Sequence, residues 1–146
     1  MRIALAADHA GYALKDELGA WLTDTGHEVI DLGTSSADSV DYPDFGARLA
    51  NAVANGDADR GIAVCGSGIG ISIAANRNPG CRCALVSEPL SATFARTHND
   101  ANAIALGSRL IGPEMAKACV TAFLETGFEG GRHQRRVDML NPAKDL

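Results

Sequence analysis

Five short apolar runs, each followed by a helical pattern, constrain the fold of this chain more than any other feature. The runs, rich in β-branched residues, are Arg2 to Ala7, Glu28 to Leu32, Gly61 to Cys65, Cys81 to Val86 and Asn102 to Leu106. Between the first two, Leu14, Leu18 and Leu22 recur at helical spacing. Repeated βα units are typical of a parallel sheet with helices on both faces. The sequence therefore predicts a Rossmann-like, doubly wound α/β domain with five parallel strands.

Length, composition and charge agree with one domain spanning residues 1–146. Of the 146 residues, 46% are hydrophobic, and the formal net charge is -5. A chain of this size buries enough surface to fold without disulfides or a structural metal. The acidic balance disfavours nucleic acid and anionic membranes as partners. No apolar run can cross a bilayer, and Asp8 comes too early for a signal peptide, so we expect a cytoplasmic protein.

A glycine-rich loop, Cys65 to Gly70, follows the third predicted strand. In open α/β sheets, ligands bind beyond the carboxyl ends of the strands. Glycines let the backbone approach a ligand closely, so successive N–H groups can hold an anion there. The loop lacks the Gly-Lys-Ser or Gly-Lys-Thr of nucleoside-triphosphate sites, and Ile71 interrupts the dinucleotide fingerprint. The alternative is a tight turn that serves packing alone.

Cys65 ends a buried strand where this loop begins, a position that favours the thiolate form. We interpret Cys81, Cys83 and Cys119 as small core residues. The four cysteines lack the paired spacing of a zinc site, so we expect free thiols and no metal.

Polar residues also occupy two other loops. Asp8 and His9 follow the first strand, where a carboxylate can bind sugar hydroxyls and an imidazole can bind phosphate or move protons. Their alternative role is a helix N-cap with an exposed neighbour. The segment His98 to Asn102 precedes the fifth strand, and its alternative role is a solvated turn.

Positive charge is concentrated in one segment, Arg132 to Arg136, of an otherwise acidic chain. If the segment is helical, Arg132 and Arg136 lie one turn apart and repel each other, and an anion would relieve that repulsion. The alternative is a solvated basic face paired with Glu129 and Asp138.

Seven motifs spread over nearly the whole chain together resemble the type B ribose-5-phosphate isomerases, a family that includes allose- and galactose-6-phosphate isomerases. The motifs are Asp8 to Gly11, Asp41 to Pro43, Cys65 to Gly70, Ile73 to Asn76, His98 to Asn102, Gly107 to Arg109 and Gly130 to Val137. One branch of the family has glutamate at the position of Ile71 and lacks the cysteine, so this chain resembles the thiol branch. Ser67 replaces the threonine of many relatives and keeps the hydroxyl.

The resemblance implies an aldose–ketose isomerase that needs no metal or cofactor and interconverts ribose 5-phosphate and ribulose 5-phosphate. Cys65 matches the general base and His98 the residue that opens the sugar ring. The implied substrate-binding residues are Asp8, His9, Tyr42, Gly66, Ser67, Gly68, Ile69, Gly70, Asn99, Arg109, Arg132 and Arg136. Two alternatives stay open: isomerisation of allose or galactose 6-phosphate, and a non-catalytic phosphate- or nucleotide-binding module.

The predicted topology separates the two implied catalytic residues. Cys65 lies at the carboxyl end of its strand, whereas His98 precedes a strand and belongs at the amino end of the sheet. We therefore expect an active site shared between subunits of a homodimer or a dimer of dimers. A partner would supply His98 and the C-terminal arginines, with residues 130–146 at the dimer interface.

Overall fold

The computed structural model describes residues 1–140. Its strands are β1 (Arg2–Ala7), β2 (Glu28–Asp31), β3 (Arg60–Cys65), β4 (Cys83–Leu85) and β5 (Ala103–Gly107). They form one all-parallel sheet in the order β2-β1-β3-β5-β4. The predicted fold class is confirmed. Of the predicted interface segment, 130–146, residues 141–146 lie outside the described residues.

Helices connect the strands and cover both faces of the sheet. They are α1 (Tyr12–Asp24), α2 (Tyr42–Ala54), α3 (Ile69–Ala75), α4 (Pro89–Thr97), α5 (Pro113–Glu125) and α6 (Gln134–Leu140), the last preceded by a 3₁₀ turn, Gly131–His133. Gly26 follows the end of α1 in the left-handed region, with φ +93°. Helix α5 ends differently, at Glu125, because Thr126 is already extended. Within residues 1–140, no helix has the length and apolar character needed to cross a membrane.

Strand β4 is shorter than the predicted run from Cys81 to Val86, because side chains take the place of strand partners where it begins. The N–H of Arg82 donates to Asn102 Oδ1 at 2.8 Å. The N–H of Cys83 donates to Asn76 Oδ1, also at 2.8 Å. These amide side chains anchor an edge strand that pairs only with β5.

Large side chains point to one face of the sheet and small ones to the other. Ile3, Leu5 and equivalent residues of β3 and β5 pack under α1, α4 and α5. Ala63, Ala105 and Cys65 face α2 and α3 instead. Successive side chains of a strand point to opposite faces of the sheet. Alternating large and small residues therefore give one face of large side chains and one of small side chains. The small residues let α2 and α3 lie close to the strands that lead into the predicted ligand loop.

Helices α2 and α3 also approach each other closely at Gly46. A Cβ there would lie 2.8 Å from the Ala74 Cβ and 3.0 Å from the Ile71 carbonyl oxygen. Overpacking typically costs about 1–3 kcal/mol, against a gain of at most about 1 kcal/mol from alanine's helix propensity. We therefore expect Gly46→Ala to lower the free energy of unfolding measured in urea.

Gly127→Ala is the matched control for this substitution. A Cβ on Gly127 meets no atom within 4 Å, and its φ lies outside the left-handed region. Its free energy of unfolding should stay within about 0.5 kcal/mol of the wild type. Equal losses in the two variants would contradict the close packing of α2 on α3.

The strand order brings three loops together at the carboxyl edge of the sheet. β1, β3 and β5 are neighbours, with Ala7 beside Val64 and Cys65 beside Gly107. The loops pack without room for a side chain: a Cβ on Gly107 would lie 2.6 Å from the Ser67 carbonyl oxygen. The residues that follow these strands therefore share one site.

Candidate active site

A cleft of about 630 Å³ opens at this carboxyl edge. Its lining includes nine of the predicted site residues: Asp8, His9, Tyr42, Cys65, Gly66, Ser67, Ile69, Gly70 and Arg109. Gly68 belongs to the same loop and caps α3. Side chains of Ile73 and Leu110 add an apolar wall. The cleft thus brings together the loops that follow β1, β3 and β5.

The thiol of Cys65 lines this cleft. Cys65 is the last residue of β3, and its side chain is buried apart from the part that lines the cleft. The N–H of Gly68 donates to its Sγ at 3.1 Å. A donor aimed at sulfur stabilises the negative charge of a thiolate, which is the form that removes protons.

Only glycine fits at position 68. Gly68 has φ +78°, and a Cβ there would lie 2.6 Å from Leu85 Cδ1 and 2.9 Å from the Leu106 carbonyl carbon. The left-handed turn directs the Gly68 N–H back to the sulfur of Cys65. The glycine pattern therefore serves the thiol as well as the packing of the loop.

Three N–H groups of the loop remain available to a ligand. Ile69 N–H donates to Ser67 Oγ at 3.2 Å. The amides of Gly66, Ser67 and Gly70 donate to no acceptor within residues 1–140. Free N–H groups beside a thiolate can hold an oxyanion that forms next to the base.

Asp8 and His9 are held by their backbone surroundings. Asp8 is 6% exposed, and its Oδ1 accepts the N–H groups of Ala10 and Gly11 at 3.0 Å each. Oδ2 accepts from no group within residues 1–140 and is the oxygen available to a hydroxyl. The His9 Nδ1 lies 3.2 Å from both the N and the O of Val40. That contact leaves Nε2 for a ligand.

Arg109 brings positive charge to the cleft. Its guanidinium covers Gly66, where a Cβ would lie 3.3 Å from the arginine Nη1. The N–H of Arg109 donates to the Gly66 carbonyl, and the N–H of Ser108 donates to the Cys65 carbonyl, both at 2.9 Å. The opposite wall is the ring of Tyr42, which lies against Gly70. An anion in the cleft would meet one cation as well as free amides.

The other three cysteines behave as core residues. Burial raises the pKa of the Cys81 thiol to about 11. Burial also raises the pKa values of Cys83 and Cys119 above the ordinary range of a thiol. All three stay protonated near neutral pH, in agreement with the interpretation from sequence.

This contrast predicts selective alkylation of Cys65 by iodoacetamide. With a pKa of about 11, Cys81 is only about one-thousandth thiolate at pH 8. Peptide mapping by mass spectrometry should find Cys65 labelled first in the folded protein. In urea all four thiols should react alike. Similar rates for Cys65 and Cys81 in the folded protein would contradict the assignment.

Four predicted site residues, His98, Asn99, Arg132 and Arg136, lie outside the cleft. His98 caps the carboxyl end of α4, which starts beyond β4 and returns toward the amino end of the sheet. Asn99 lines a separate cavity of about 330 Å³. The separation of His98 from the Cys65 loop, predicted from the strand order, is what the structure shows.

His98 instead meets the basic C-terminal segment. Its ring stacks on Phe94, with centroids 4.8 Å apart, and on His133, with centroids 4.5 Å apart. Arg132 Nε donates to His133 Nε2 at 3.4 Å, and Arg136 Nη1 donates to the Arg132 carbonyl at 3.2 Å. We call His98, Glu129, Arg132, His133 and Arg136 the histidine–arginine cluster. It joins two motifs that the sequence leaves far apart.

The carboxylates near this cluster do not neutralise its arginines. Glu129 contacts His133 at 3.3 Å, and Asp138 accepts from Gln134 at 2.8 Å. Within residues 1–140, neither Arg132 nor Arg136 pairs with a carboxylate. The alternative of a paired basic face is therefore wrong for these arginines, and their charge remains available to an anion.

His98, Glu129 and His133 have ligand atoms within 4.8 Å of one another, the composition of a zinc site. Stacked rings direct their lone pairs along parallel planes rather than toward a common point. The Arg132 guanidinium also lies beside His133 Nε2. This environment suits a negative group better than a cation.

His133 is the residue that sequence reasoning overlooked. It was part of the basic segment, but the prediction selected only the flanking Arg132 and Arg136. A second histidine at the centre of that segment was the available signal, because an imidazole beside arginines can also bind phosphate.

The fold is a doubly wound α/β domain, and its cleft places the Cys65 thiol beside unpaired backbone N–H groups and Arg109. The model of the ribose/galactose isomerase family matches residues 3–140, and the chain belongs to this family. The resemblance noted from the motifs is thereby confirmed.

Individual relatives agree. Ribose-5-phosphate isomerase B of Escherichia coli is 50% identical over 139 residues, which cover 95% of this chain and 93% of the relative. The structure of ribose-5-phosphate isomerase B from Clostridium thermocellum superposes with a TM-score of 0.96 at 49% identity, covering 97% of this chain and 95% of that one. The enzyme from Mycoplasma genitalium with bound ribulose 5-phosphate gives a TM-score of 0.91 at 40% identity, covering 95% and 93%.

Proposed function

We propose that this chain is an aldose–ketose isomerase that interconverts ribose 5-phosphate and ribulose 5-phosphate. The observation that carries the proposal is the Cys65 thiol, which accepts an N–H hydrogen bond in a cleft with free amides and Arg109. The names of the relatives from Escherichia coli and Clostridium thermocellum support the pentose substrate. The ribulose 5-phosphate bound to the Mycoplasma genitalium protein supports it further.

The reaction in this proposal is a proton transfer through an enediolate. The Cys65 thiolate takes the proton from C2 of the open-chain aldose, and the electron pair of that C–H bond forms a C1–C2 double bond. The carbonyl electrons move to O1, where the loop amides stabilise the charge. The proton of the C2 hydroxyl then passes to O1, the electron pair of the double bond takes the thiol proton at C1, and C2 becomes the ketone while the thiolate is regenerated.

The remaining roles require a second copy of the chain. His98, which opens the sugar ring in this proposal, and Asn99 lie outside the cleft of their own chain. Arg132 and Arg136 accompany His98 in the histidine–arginine cluster. We propose that a partner's cluster closes the cleft, so that its arginines and Arg109 hold the phosphate from opposite sides.

Exposed apolar side chains support such a partner. Ile69, Ile73, Leu85, Leu90 and Phe94 are each 45% or more exposed along α3, β4 and α4. Large apolar patches of this kind mark interaction surfaces. A homodimer that covers them, with residues 130–146 in the interface, would complete both active sites.

The free thiols of all four cysteines support a cytoplasmic location, since reducing compartments keep thiols unpaired.

Turnover of ribose 5-phosphate, followed by ketose formation, tests the proposal. We expect Cys65→Ala to lower kcat by about 10²- to 10⁴-fold, because the general base is lost. Calorimetric binding of ribose 5-phosphate should persist in this variant. Cys119→Ala, which removes a buried thiol of α5, should retain wild-type turnover.

The same assay separates the alternatives. Faster turnover of allose or galactose 6-phosphate than of ribose 5-phosphate would keep the chemistry and change the substrate. Binding of ribose 5-phosphate without turnover by the folded, reduced wild type would contradict the isomerase and favour a phosphate-binding module.

Hybrid dimers test the shared site. The Cys65→Ala and His98→Asn chains are co-expressed with different tags and purified as the mixed dimer. One of its two sites is intact, because it combines the Cys65 cleft of the His98→Asn chain with the His98 of the Cys65→Ala chain. The hybrid should therefore regain about half the wild-type activity, although each homodimer is inactive. A hybrid as inactive as both parents would show that each chain carries a complete site.

A further inference from the structure

Arg96 is a buried charged residue for which the proposed reaction has no use. It is 4% exposed, and it lies on α4 two residues before His98. We propose that Arg96 is a positioning residue, which assembles the histidine–arginine cluster for the partner's cleft. This inference rests on the proposed function.

The guanidinium of Arg96 joins three parts of the chain. Nη1 donates to the Ala101 carbonyl at 2.5 Å and to Asp100 Oδ1 at 2.9 Å, both in the turn after α4. Nε donates to the Thr126 carbonyl at 3.2 Å, where α5 ends. One rigid, planar group therefore fixes the end of α4 against the end of α5.

The chain from α5 to the cluster continues from this junction. Three residues after Thr126, the N–H of Glu129 donates to the Thr97 carbonyl at 3.2 Å. The Glu129 carboxylate then contacts His133 at 3.3 Å, and His133 stacks on His98. The contacts of Arg96 thus determine where the segment with Arg132 and Arg136 meets the histidine.

Asp100, in the turn after α4, also helps to fix the position of His98. Its φ of +45° is uncommon for a residue with a side chain. Its carboxylate pairs with Arg96 at 2.9 Å and with Arg82 at 3.0 Å, and its carbonyl accepts from Arg82 Nη2 at 2.8 Å. The two arginines hold the turn that carries His98 and Asn99.

A purely structural role explains this arrangement less well. Burying a guanidinium costs desolvation energy that its ion pair only partly offsets, so a buried ion pair is a weak source of stability. Its specific effect is on geometry, because its acceptors lie on two separate segments, the turn after α4 and the end of α5. A lysine at this position would keep the charge but could not reproduce the planar set of hydrogen bonds.

The first test is Arg96→Lys in the wild-type background. Displacement of the cluster should lower kcat/KM for ribose 5-phosphate by about 10- to 100-fold. The buried thiols of Cys83 and Cys119 should stay as slow to alkylate as in the wild type, because the fold of the chain is unchanged. Arg2→Lys, at an exposed ion pair with Asp59, is the matched control and should keep full activity.

Hybrid dimers then locate the defect. A mixed dimer of Arg96→Lys and Cys65→Ala should regain about half of the wild-type activity, because one site combines an intact cleft with an intact cluster. A mixed dimer of Arg96→Lys and His98→Asn should stay as low as its parents, because both clusters are damaged. Asp100→Asn should repeat this pattern with a smaller loss.

Full activity of Arg96→Lys would overturn the inference. So would a hybrid with Cys65→Ala that stays inactive, or faster alkylation of the buried Cys83 and Cys119, since either would indicate a general loss of structure. Failure of the proposed function is visible separately. It would appear as a wild type without turnover, or as a hybrid of Cys65→Ala and His98→Asn that fails to recover.

Discussion

Backbone contacts between neighbouring loops at the carboxyl edge of the sheet are the constraint on which the site depends. Gly107 admits the carbonyl of Ser67, and Gly68 admits the backbone of Leu106 at distances no side chain would allow. These contacts are possible because β3 and β5 are adjacent and in register at Cys65. They turn the N–H of Gly68 onto the sulfur of Cys65, and the amides of Gly66, Ser67 and Gly70 keep no acceptor within residues 1–140.

The same topology explains why His98 lies apart from the Cys65 loop. Helices that follow parallel strands return to the amino end of the sheet, so the end of α4 carries His98 away from Cys65. There it meets His133 from the segment after α5. The chain therefore presents a cleft with the Cys65 thiol on one surface and a cluster of imidazoles and arginines on another. Two copies can combine these surfaces in a symmetric way.

Local patterns in the sequence anticipated the strands, the cleft and its thiol, because each depends on residues close together in the chain. The start of β4 was mispredicted because the amides of Asn76 and Asn102, distant in sequence, replace its partners. The sequence also could not predict the contact of His98 with His133 or the hydrogen bonds of Arg96, because both join segments that are distant in the chain. The predicted separation of His98 from Cys65 was correct because it follows from strand direction alone.

A crystal structure of the Cys65→Ala variant with ribulose 5-phosphate would test the central claim most directly. The account predicts C1 and C2 of the sugar within about 3–4 Å of the position of the missing sulfur. Arg109 of the same chain would contact the phosphate, together with Arg132 and Arg136 of the second copy. A sugar bound away from the Cys65 loop, or held by residues of one chain alone, would contradict it.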